Sequence, residues 1–406
     1  MDLPTPHQLD QMLVALQRAM DHTGDPVEFT GSGEVIFRPE ARDPARGGGP
    51  DIAAVVRTSG STGRPKQTLL STSALQASAT ATAEALAGQG RWLLAVGAQF
   101  VAGLAVLSRS IMAGTTPLVL PSGSFTAEKF VATTAGLNGR TPVDQPRYVS
   151  LVPTQLTRLL EAGEAIPEVI DGLRSYSAVL VGGARAPQAS VEAARQHGIK
   201  LMLTYGSSET CGGCVYNGRP LPGVDLGLAR HTIAGGAAVD RVTLTGAMVA
   251  TGYLDQPKLT AEHFRTGPDG TRTYLTDDYG EILTASTSHT PQLRVLGRVD
   301  DVLISGAVKV SAAEIQRVLE SHPTIREAFV TGVADDHWGQ RIVAGIVPAE
   351  DAAIESENQR DTALRRWVRA QLGEAAAPKS FTVLDRIPLL ANGKPDRRYL
   401  QQLLSE

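Results

Sequence analysis

The sequence predicts an α/β protein: a large N-terminal domain with mostly parallel sheets flanked by helices, then a small, mobile α+β C-terminal domain. Three observations carry that expectation. From Asp51 to Gly206, short apolar runs alternate with stretches of helical period. Past Arg230 the texture turns to short β-like pieces. A charged segment, LGRVDD at 296–301, then precedes a last quarter with helices and strands of its own. Alternating strand and helix patterns imply βαβ units, whose strands lie parallel.

The elements follow in order. A Gly/Pro/charged loop, EARDPARGGGP at 40–50, leads into the strand candidate DIAAVVRTSG. WLLAVG, TPLVL, RYVSLVP, SAVLVGG and KLMLTYG are further strand candidates, and STSALQASATATAEALAGQG, PTQLTRLLEAG and PQASVEAARQHG have helical periodicity. AAVDRVTLTGAMVATGYL and TRTYLTDDYGEIL read as short β pieces. A helix (SAAEIQRVLESHP), two strands (REAFVTGVA and RIVAGIVP), a second helix (RDTALRRWVRAQLGE) and a basic end complete the chain. A boundary near Asp300 divides residues 1–299 from 300–406.

Composition narrows the function classes. Hydrophobic residues make up 42% of the 406 and charged residues 20%, ample for a core. A net charge of −4 offers no basic excess, which argues against a nucleic-acid partner. The most apolar run, WLLAVGAQFVAGLAVL from Trp92 to Leu107, is interrupted by Gln99 and is shorter than the roughly 20 residues a bilayer requires, so no membrane insertion is expected. MDLPTPHQLDQML lacks a basic segment followed by an apolar one, so no secretory leader is read there. Two cysteines suit a reducing compartment. The expectation is a soluble, cytoplasmic enzyme.

Five stretches carry chemistry. RTSGSTGRPKQ (57–67) follows a buried strand and is expected to precede a helix. Gly60 and Gly63 allow a tight turn, Thr58, Ser59, Ser61 and Thr62 supply donors, and Lys66 adds charge, which together suit a phosphate cradle. No Gly-Lys-Ser/Thr follows the glycines, so it is not a Walker A loop. In TYGSSET (204–210) the Tyr205 ring can lie against a purine, and Glu209 beside Ser208 is a hard oxygen ligand for Mg²⁺ on phosphates. Taken alone, this is a strand-end turn with a solvated carboxylate. Asp278 in YLTDDYG suits a ribose diol, or a plain acidic turn. Arg298 in LGRVDD suits a sugar or phosphate, or a surface ion pair of little energetic value. Lys394 in ANGKPDRR is, by itself, a solvated loop lysine.

Cys211-Gly-Gly-Cys214 invites a redox or zinc reading. A thioredoxin-type pair would open a helix with a lowered thiolate pKa, and zinc would need two further ligands that no His or Cys cluster offers. The cysteines therefore read as small apolar fillers.

In this order and spacing, SGSTGRPK, YGSSE, GRVDD and NGKPDR resemble the signature series of the acyl-adenylate-forming (AMP-binding) superfamily, from about Val55 onward. The resemblance implies activation of a carboxylate with ATP and Mg²⁺, then transfer of the acyl group to the thiol of CoA. It implies that the loop Thr58, Ser59, Gly60, Ser61, Thr62, Gly63 and Lys66 holds the β- and γ-phosphates, and that Gly182, Gly183, Ala184 and Tyr205 frame adenine. Glu209 would ligate Mg²⁺, Ser208 would contact the α-phosphate, and Asp278 and Arg298 would bind the ribose. Asp300 would be the hinge between an adenylate-forming domain (1–299) and a lid (300–406). Lys394 would bridge the substrate carboxylate and the α-phosphate.

Within the superfamily, TYGSSETCGGCVYNGRPLPGV and SLVPTQLTRLL look like the o-succinylbenzoate–CoA ligase branch of menaquinone biosynthesis, which makes an aryl carboxylic acid the expected substrate. Phe100, Gln155, Gly212 and Gly213 are the pocket candidates, with the glycines leaving room for an aromatic ring. Gln155 or Arg185 is the candidate for a second substrate carboxylate. Another aryl-acid ligase of benzoate type and a silent adenylate-binding sensor are the alternatives. The chain departs from the pattern in lacking a His near Gln99 and Phe100, in reading Thr276-Asp277-Asp278 for Thr-Gly-Asp, and in Ile304 for a lysine.

Overall fold

The computed structural model describes residues 3–58, 66–232, 238–283, 290–305, 308–335, 339–349, 356–390 and 395–405. The chain divides into two compact units, 1–227 with 243–275 and 284–293, and 228–242 with 276–283 and 294–406. The second unit thus gathers two segments from well before Asp300 and runs on from Arg294.

The first unit opens with α1 (Pro6–Met20), whose capping box joins the Thr5 side chain to the Gln8 N–H and the Gln8 side chain back to the Thr5 N–H. Buried Leu9, Met12, Leu16 and Ala19 recur at helical spacing along its inner face. There follow β1 (Val27–Phe29), β2 (Val35–Phe37), β3 (Ile52–Thr58), β4 (Lys66–Ser71), α2 (Thr72–Ala85), β5 (Arg91–Leu94), α3 (Val101–Met112) and β6 (Leu118–Val119). Next come α4 (Ala127–Arg140), β7 (Arg147–Leu151), α5 (Pro153–Gly163), α6 (Pro167–Arg174), β8 (Ala178–Val181), α7 (Gln188–Gln196), β9 (Leu201–Ser207), β10 (Gly212–Tyr216) and β11 (Arg219–Pro220). Strands β12 (Asp225–Thr232), β13 (Ala238–Thr245), β14 (Gly252–Tyr253), β15 (Phe264–Thr266), β16 (Arg272–Leu283) and β17 (Gln292–Arg298), with α8 (Pro257–His263), follow, and β12, β13, β16 and β17 each contribute residues to both units.

The alternation read from the sequence yields a sheet ordered β11-β10-β9-β8-β7-β5-β6, in which β6, β5, β7, β8 and β9 run parallel and β10 and β11 add antiparallel edges. Its central strands β5, β7 and β8 bury most of their side chains, as strands covered on both faces do, whereas β9 is half-buried along its length. A second sheet, β14-β4-β3-β1-β2, is mostly antiparallel. This corrects the expected helix after the Thr58–Lys66 loop. The loop closes a β3–β4 hairpin, and the helix begins only at Thr72. QTLLS is too short an apolar run to tell strand from helix by period.

In the second unit, β18 (Val302–Ser305) pairs with β19 (Val308–Ser311), and α9 (Ala312–Glu320) leads to β20 (Ile325–Asp335) and β21 (Gly339–Pro348). After α10 (Glu357–Leu372), β22 (Ser380–Val383) pairs parallel to β21, and α11 (Arg397–Leu403) ends the chain. Alternate residues of β21 serve opposite faces. Ile342 and Ile346 pack with Ile315, Leu319 and Leu364 under α9 and α10, while Val343 and Val347 pack with Leu400 of α11. Among the described residues, no helix is long and apolar enough to cross a membrane.

Backbone approach between β9 and β10 is unusually close. A Cβ at Gly206 would lie 2.1 Å from the Gly212 carbonyl oxygen, where only backbone is available to yield. Gly206→Ala is therefore expected to lower the stability of the full chain by about 1–3 kcal/mol in urea unfolding, in the range of other overpacked positions.

Candidate active site

Arg57 and Gln67, paired across β3 and β4, anchor the hairpin base. The Arg57 Nε donates to Glu28 Oε1 at 2.8 Å, and Arg38 pairs with Glu28 while donating to Gln67 Oε1 at 2.7 Å. Glu28 is only 5% exposed, so its two arginines meet the cost of burying its charge. Thr58 and Lys66 stand opposite each other at the head of this hairpin. Ser59, Gly60, Ser61, Thr62 and Gly63, between them, lie outside the described residues.

Lys66 and Glu209, far apart in the chain, meet through a residue that the sequence reading did not single out. The Lys66 Nζ lies over the Tyr253 ring, 5.3 Å from its centroid, within cation–π range. The Tyr253 hydroxyl donates to Glu209 Oε1 at 2.8 Å. Both partners are buried, Tyr253 at 1% exposure and Glu209 at 6%. Glu209 sits in a single 3₁₀ turn, Ser208–Thr210, with the Ser207 hydroxyl accepting from the Glu209 N–H. Its carbonyl accepts from Ala250 N–H at 2.9 Å, so backbone and side chain are both tied to the segment 250–253. That segment is in turn fixed to β4, where Tyr253 pairs with Thr68. Ser208 is buried beside Glu209.

At the carboxyl ends of the parallel strands, where ligands of open α/β sheets collect, Gly182, Gly183 and Ala184 follow β8. Tyr205 lies on the adjacent β9, two residues beyond Leu203, the partner of Val181. Gly182 is required there because a Cβ would fall 2.2 Å from Thr204 Oγ1, and Gly183 has φ +84°. Phe100 caps α3 just past β5 and is half-buried, and Arg185 is exposed past β8.

Two of the pocket candidates make structural contacts. The Gln155 amide oxygen accepts from Val152 N–H at 2.9 Å, and its nitrogen donates to the Ala95 carbonyl at 2.8 Å. Gln155 thus buckles together the segments that follow β7 and β5. The space beside Gly213 is filled by protein, since a Cβ would meet Thr204 and Tyr216 at 3.0 Å. Gly213 and Gly212 (φ +105°) therefore serve the β9–β10 pairing and its bulge. The cysteines behave as read: both are free and 1% exposed. Burial pushes the Cys214 thiol up to about 12 and raises Cys211 as well.

In the second unit, the GRVDD and TDD motifs meet. Arg298 makes a two-pronged pair with Asp300, Nε to Oδ1 at 2.9 Å and Nη2 to Oδ2 at 3.1 Å, and its Nη2 lies 3.6 Å from Asp277. Burial alone would lower the Arg298 pKa; the bond to Asp300 and the charges of Asp300, Asp278 and Asp277 reverse that and raise it. Asp277, the departure from the superfamily's glycine, also pairs with Arg241, another residue missed in the sequence, at 3.4 Å. Arg241 further donates to the Thr276 carbonyl at 2.7 Å. Asp278 is held by the Thr276 hydroxyl, which accepts its N–H at 3.1 Å. Lys394 lies outside the described residues. On either side of it, Leu389 and Pro395 form an antiparallel bridge.

Among the described residues, no group of three His, Cys, Asp or Glu side chains is arranged to hold a metal. A lone buried carboxylate at Glu209 suits Mg²⁺, which takes one or two protein oxygens and fills its octahedron with phosphate and water. The buried thiols give a direct check. A thiol reagent at pH 8 is expected to leave both cysteines unmodified until the chain is denatured, and rapid labelling of the folded protein would overturn their role as fillers.

Comparisons with known proteins bear on the fold and the family. The AMP-binding enzyme family matches residues 5–240, and the AMP-binding enzyme C-terminal domain matches residues 314–394. A protein of Mycobacterium tuberculosis named "Probable 2-succinylbenzoate–CoA ligase" is 39% identical over 354 residues, spanning 86% of this chain and 84% of that one. A 2-succinylbenzoate–CoA ligase of Geobacillus is 30% identical over 371 residues, spanning 87% and 69%. Among solved structures, the o-succinylbenzoate CoA synthetase of Bacillus subtilis in complex with its acyl-adenylate intermediate superposes with a TM-score of 0.68 at 26% identity, covering 86% of this chain and 69% of that one. The same enzyme has been seen with ATP and a magnesium ion. An amide bond synthetase of Marinactinospora thermotolerans gives a TM-score of 0.70 at 25% identity, covering 91% and 71%. Matched by that family over residues 5–240 and 39% identical to a relative across most of both chains, the chain belongs to the AMP-binding enzyme family.

Proposed function

We propose that this chain is an AMP-forming acid–CoA ligase that converts o-succinylbenzoate to o-succinylbenzoyl-CoA, in the cytoplasm, as a step of menaquinone biosynthesis. The observation that carries the reading is the 39% identity, across most of both chains, to a relative named for that reaction.

A carboxylate is a poor electrophile because its leaving group is poor. Attack of the substrate carboxylate oxygen on the α-phosphorus of ATP breaks the bond to the β-phosphate bridging oxygen, and pyrophosphate leaves. The acyl-adenylate so formed has a good leaving group, so one hard step becomes two easier ones. The CoA thiolate then attacks the acyl carbon and AMP departs, with the thiol proton passing to solvent. In this scheme Lys66 lies along the β- and γ-phosphates, and Ser208 donates to the α-phosphate. Glu209 would hold Mg²⁺, which would supply positive charge to the phosphates when bound. Asp278 and Arg298 bind the ribose, and Gly182, Gly183, Ala184 and Tyr205 flank the adenine. Lys394 is carried in by its loop to offset charge at the α-phosphate, and Asp300 is the hinge of that movement.

The test is coupled pyrophosphate release with o-succinylbenzoate, benzoate and medium-chain fatty acids, followed by a comparison of CoA with simple amines as acyl acceptors. Turnover is expected with o-succinylbenzoate and CoA. Turnover with fatty acids alone would reject the substrate, and amide formation without thioester would reject the acceptor. Lys394→Ala is expected to reduce adenylation at least ~100-fold, as losses of transition-state charge stabilisation do, while the Kd for ATP stays nearly unchanged. A variant that retains turnover would remove Lys394 from its role.

A further inference from the structure

We propose that Tyr253 is a positioning residue for the metal-bearing carboxylate, aiming Glu209 through its hydroxyl while its ring steadies Lys66. The inference rests on Glu209 as the Mg²⁺ ligand and goes beyond it by identifying what aligns that ligand.

A carboxylate bound to a metal in a single orientation needs a partner for its second oxygen, and outer partners of this kind fix the direction of the first. Tyr253 supplies that partner. Its O–H donates to Oε1 at 2.8 Å, and no other hydrogen bond or ion pair to the Glu209 carboxylate is found among the described residues. A bond from a neutral hydroxyl to an ionised carboxylate is among the stronger hydrogen bonds, yet it leaves the negative charge in place. An arginine here would neutralise the charge that the cation requires. Tyr253 can hold the carboxylate because it is itself immobile. Its N–H donates to Thr260 Oγ1 at 3.0 Å, and β14 pairs it with β4. Its ring packs edge-on against Phe264 at 5.3 Å and His263 at 6.1 Å. The Lys66 ammonium lies on the same ring. One side chain therefore sets the spacing between the cation expected along the phosphates and the carboxylate expected on their metal.

A residue that only filled the core would affect every form of nucleotide binding alike, so metal dependence discriminates. The Kd for ATP is measured by calorimetry with the full chain, once in excess EDTA and once in saturating Mg²⁺, for the parent, Tyr253→Phe, Tyr253→Leu, Glu209→Gln and the Tyr253→Phe/Glu209→Gln double variant. No acid substrate is present, so binding is read without turnover. Phenylalanine keeps the ring and its packing, and a melting temperature recorded alongside checks the fold. Tyr253→Phe is expected to cut the Mg²⁺-dependent gain in affinity about tenfold, the lower end of losses from outer-partner substitutions, with EDTA binding within twofold of the parent. On the Glu209→Gln background the same change is expected to have no further effect. Tyr253→Leu, which also removes the seat of Lys66, is expected to weaken binding in EDTA as well. Equal weakening of both forms by Tyr253→Phe, or an unchanged Mg²⁺ gain, would overturn the proposal while leaving Glu209 as the ligand. A full Mg²⁺ gain in Glu209→Gln would instead overturn the ligand assignment, and Tyr253's positioning role with it.

Discussion

The first unit is organised around one constraint: a carboxylate at Glu209, almost wholly withdrawn from water, must be held by a hydrogen bond. Burying an ionised group without hydrogen bonds is prohibitive. The solution is local and long-range together. The 3₁₀ turn at Ser208–Thr210 presents the side chain, and a tyrosine 44 residues further on supplies the donor. Because Tyr253 is also a β-sheet partner of Thr68, the carboxylate is registered against the same hairpin that carries Lys66. Moving any one of these three elements would disturb the other two.

The parallel sheet contributes a different kind of order. Its strands end at one edge, and the segments beyond them are bound together by short polar links. Gln155 bridges Val152 and Ala95, and Thr204 Oγ1 donates to the Val181 carbonyl at 3.3 Å beside Gly182. Such links satisfy backbone groups that strands leave open at their ends. They also hold the strand-end loops in a fixed arrangement. The hairpin of β9 and β10 closes this region, and its glycines permit backbone contact that no side chain would tolerate. Cys211 and Cys214 are buried beside it as free thiols, with pKa values raised by burial.

In the second unit, charge is handled by alternation. Arg241, Asp277, Arg298 and Asp300 form a chain of opposite signs. The aspartate that stands in place of the superfamily's glycine is thereby absorbed between two arginines. Asp300 is held below the usual carboxylate range by Arg298 in spite of its burial, whereas burial raises Asp301. The neighbouring acids of the hinge motif are therefore inequivalent.

The sequence by itself determined the family, the parallel sheet and the identity of the chemical groups. Those follow from short-range signals: apolar runs at strand spacing, glycines before polar donors, and motifs whose order along the chain is distinctive. It also marked Glu209, Lys66, Asp278 and Arg298 individually. Only the tertiary structure decided their partners. Tyr253 sits in an unremarked β-like run, and nothing local marks it as the donor to a carboxylate 44 positions earlier. Likewise Gln155 reads as a free amide until Ala95 is brought beside it, and the strand after Lys66 is set by pairing with β3. Periodicity reports which face of an element is buried. Which polar group meets which is fixed by the distance between elements, and that distance exists only once the chain has packed.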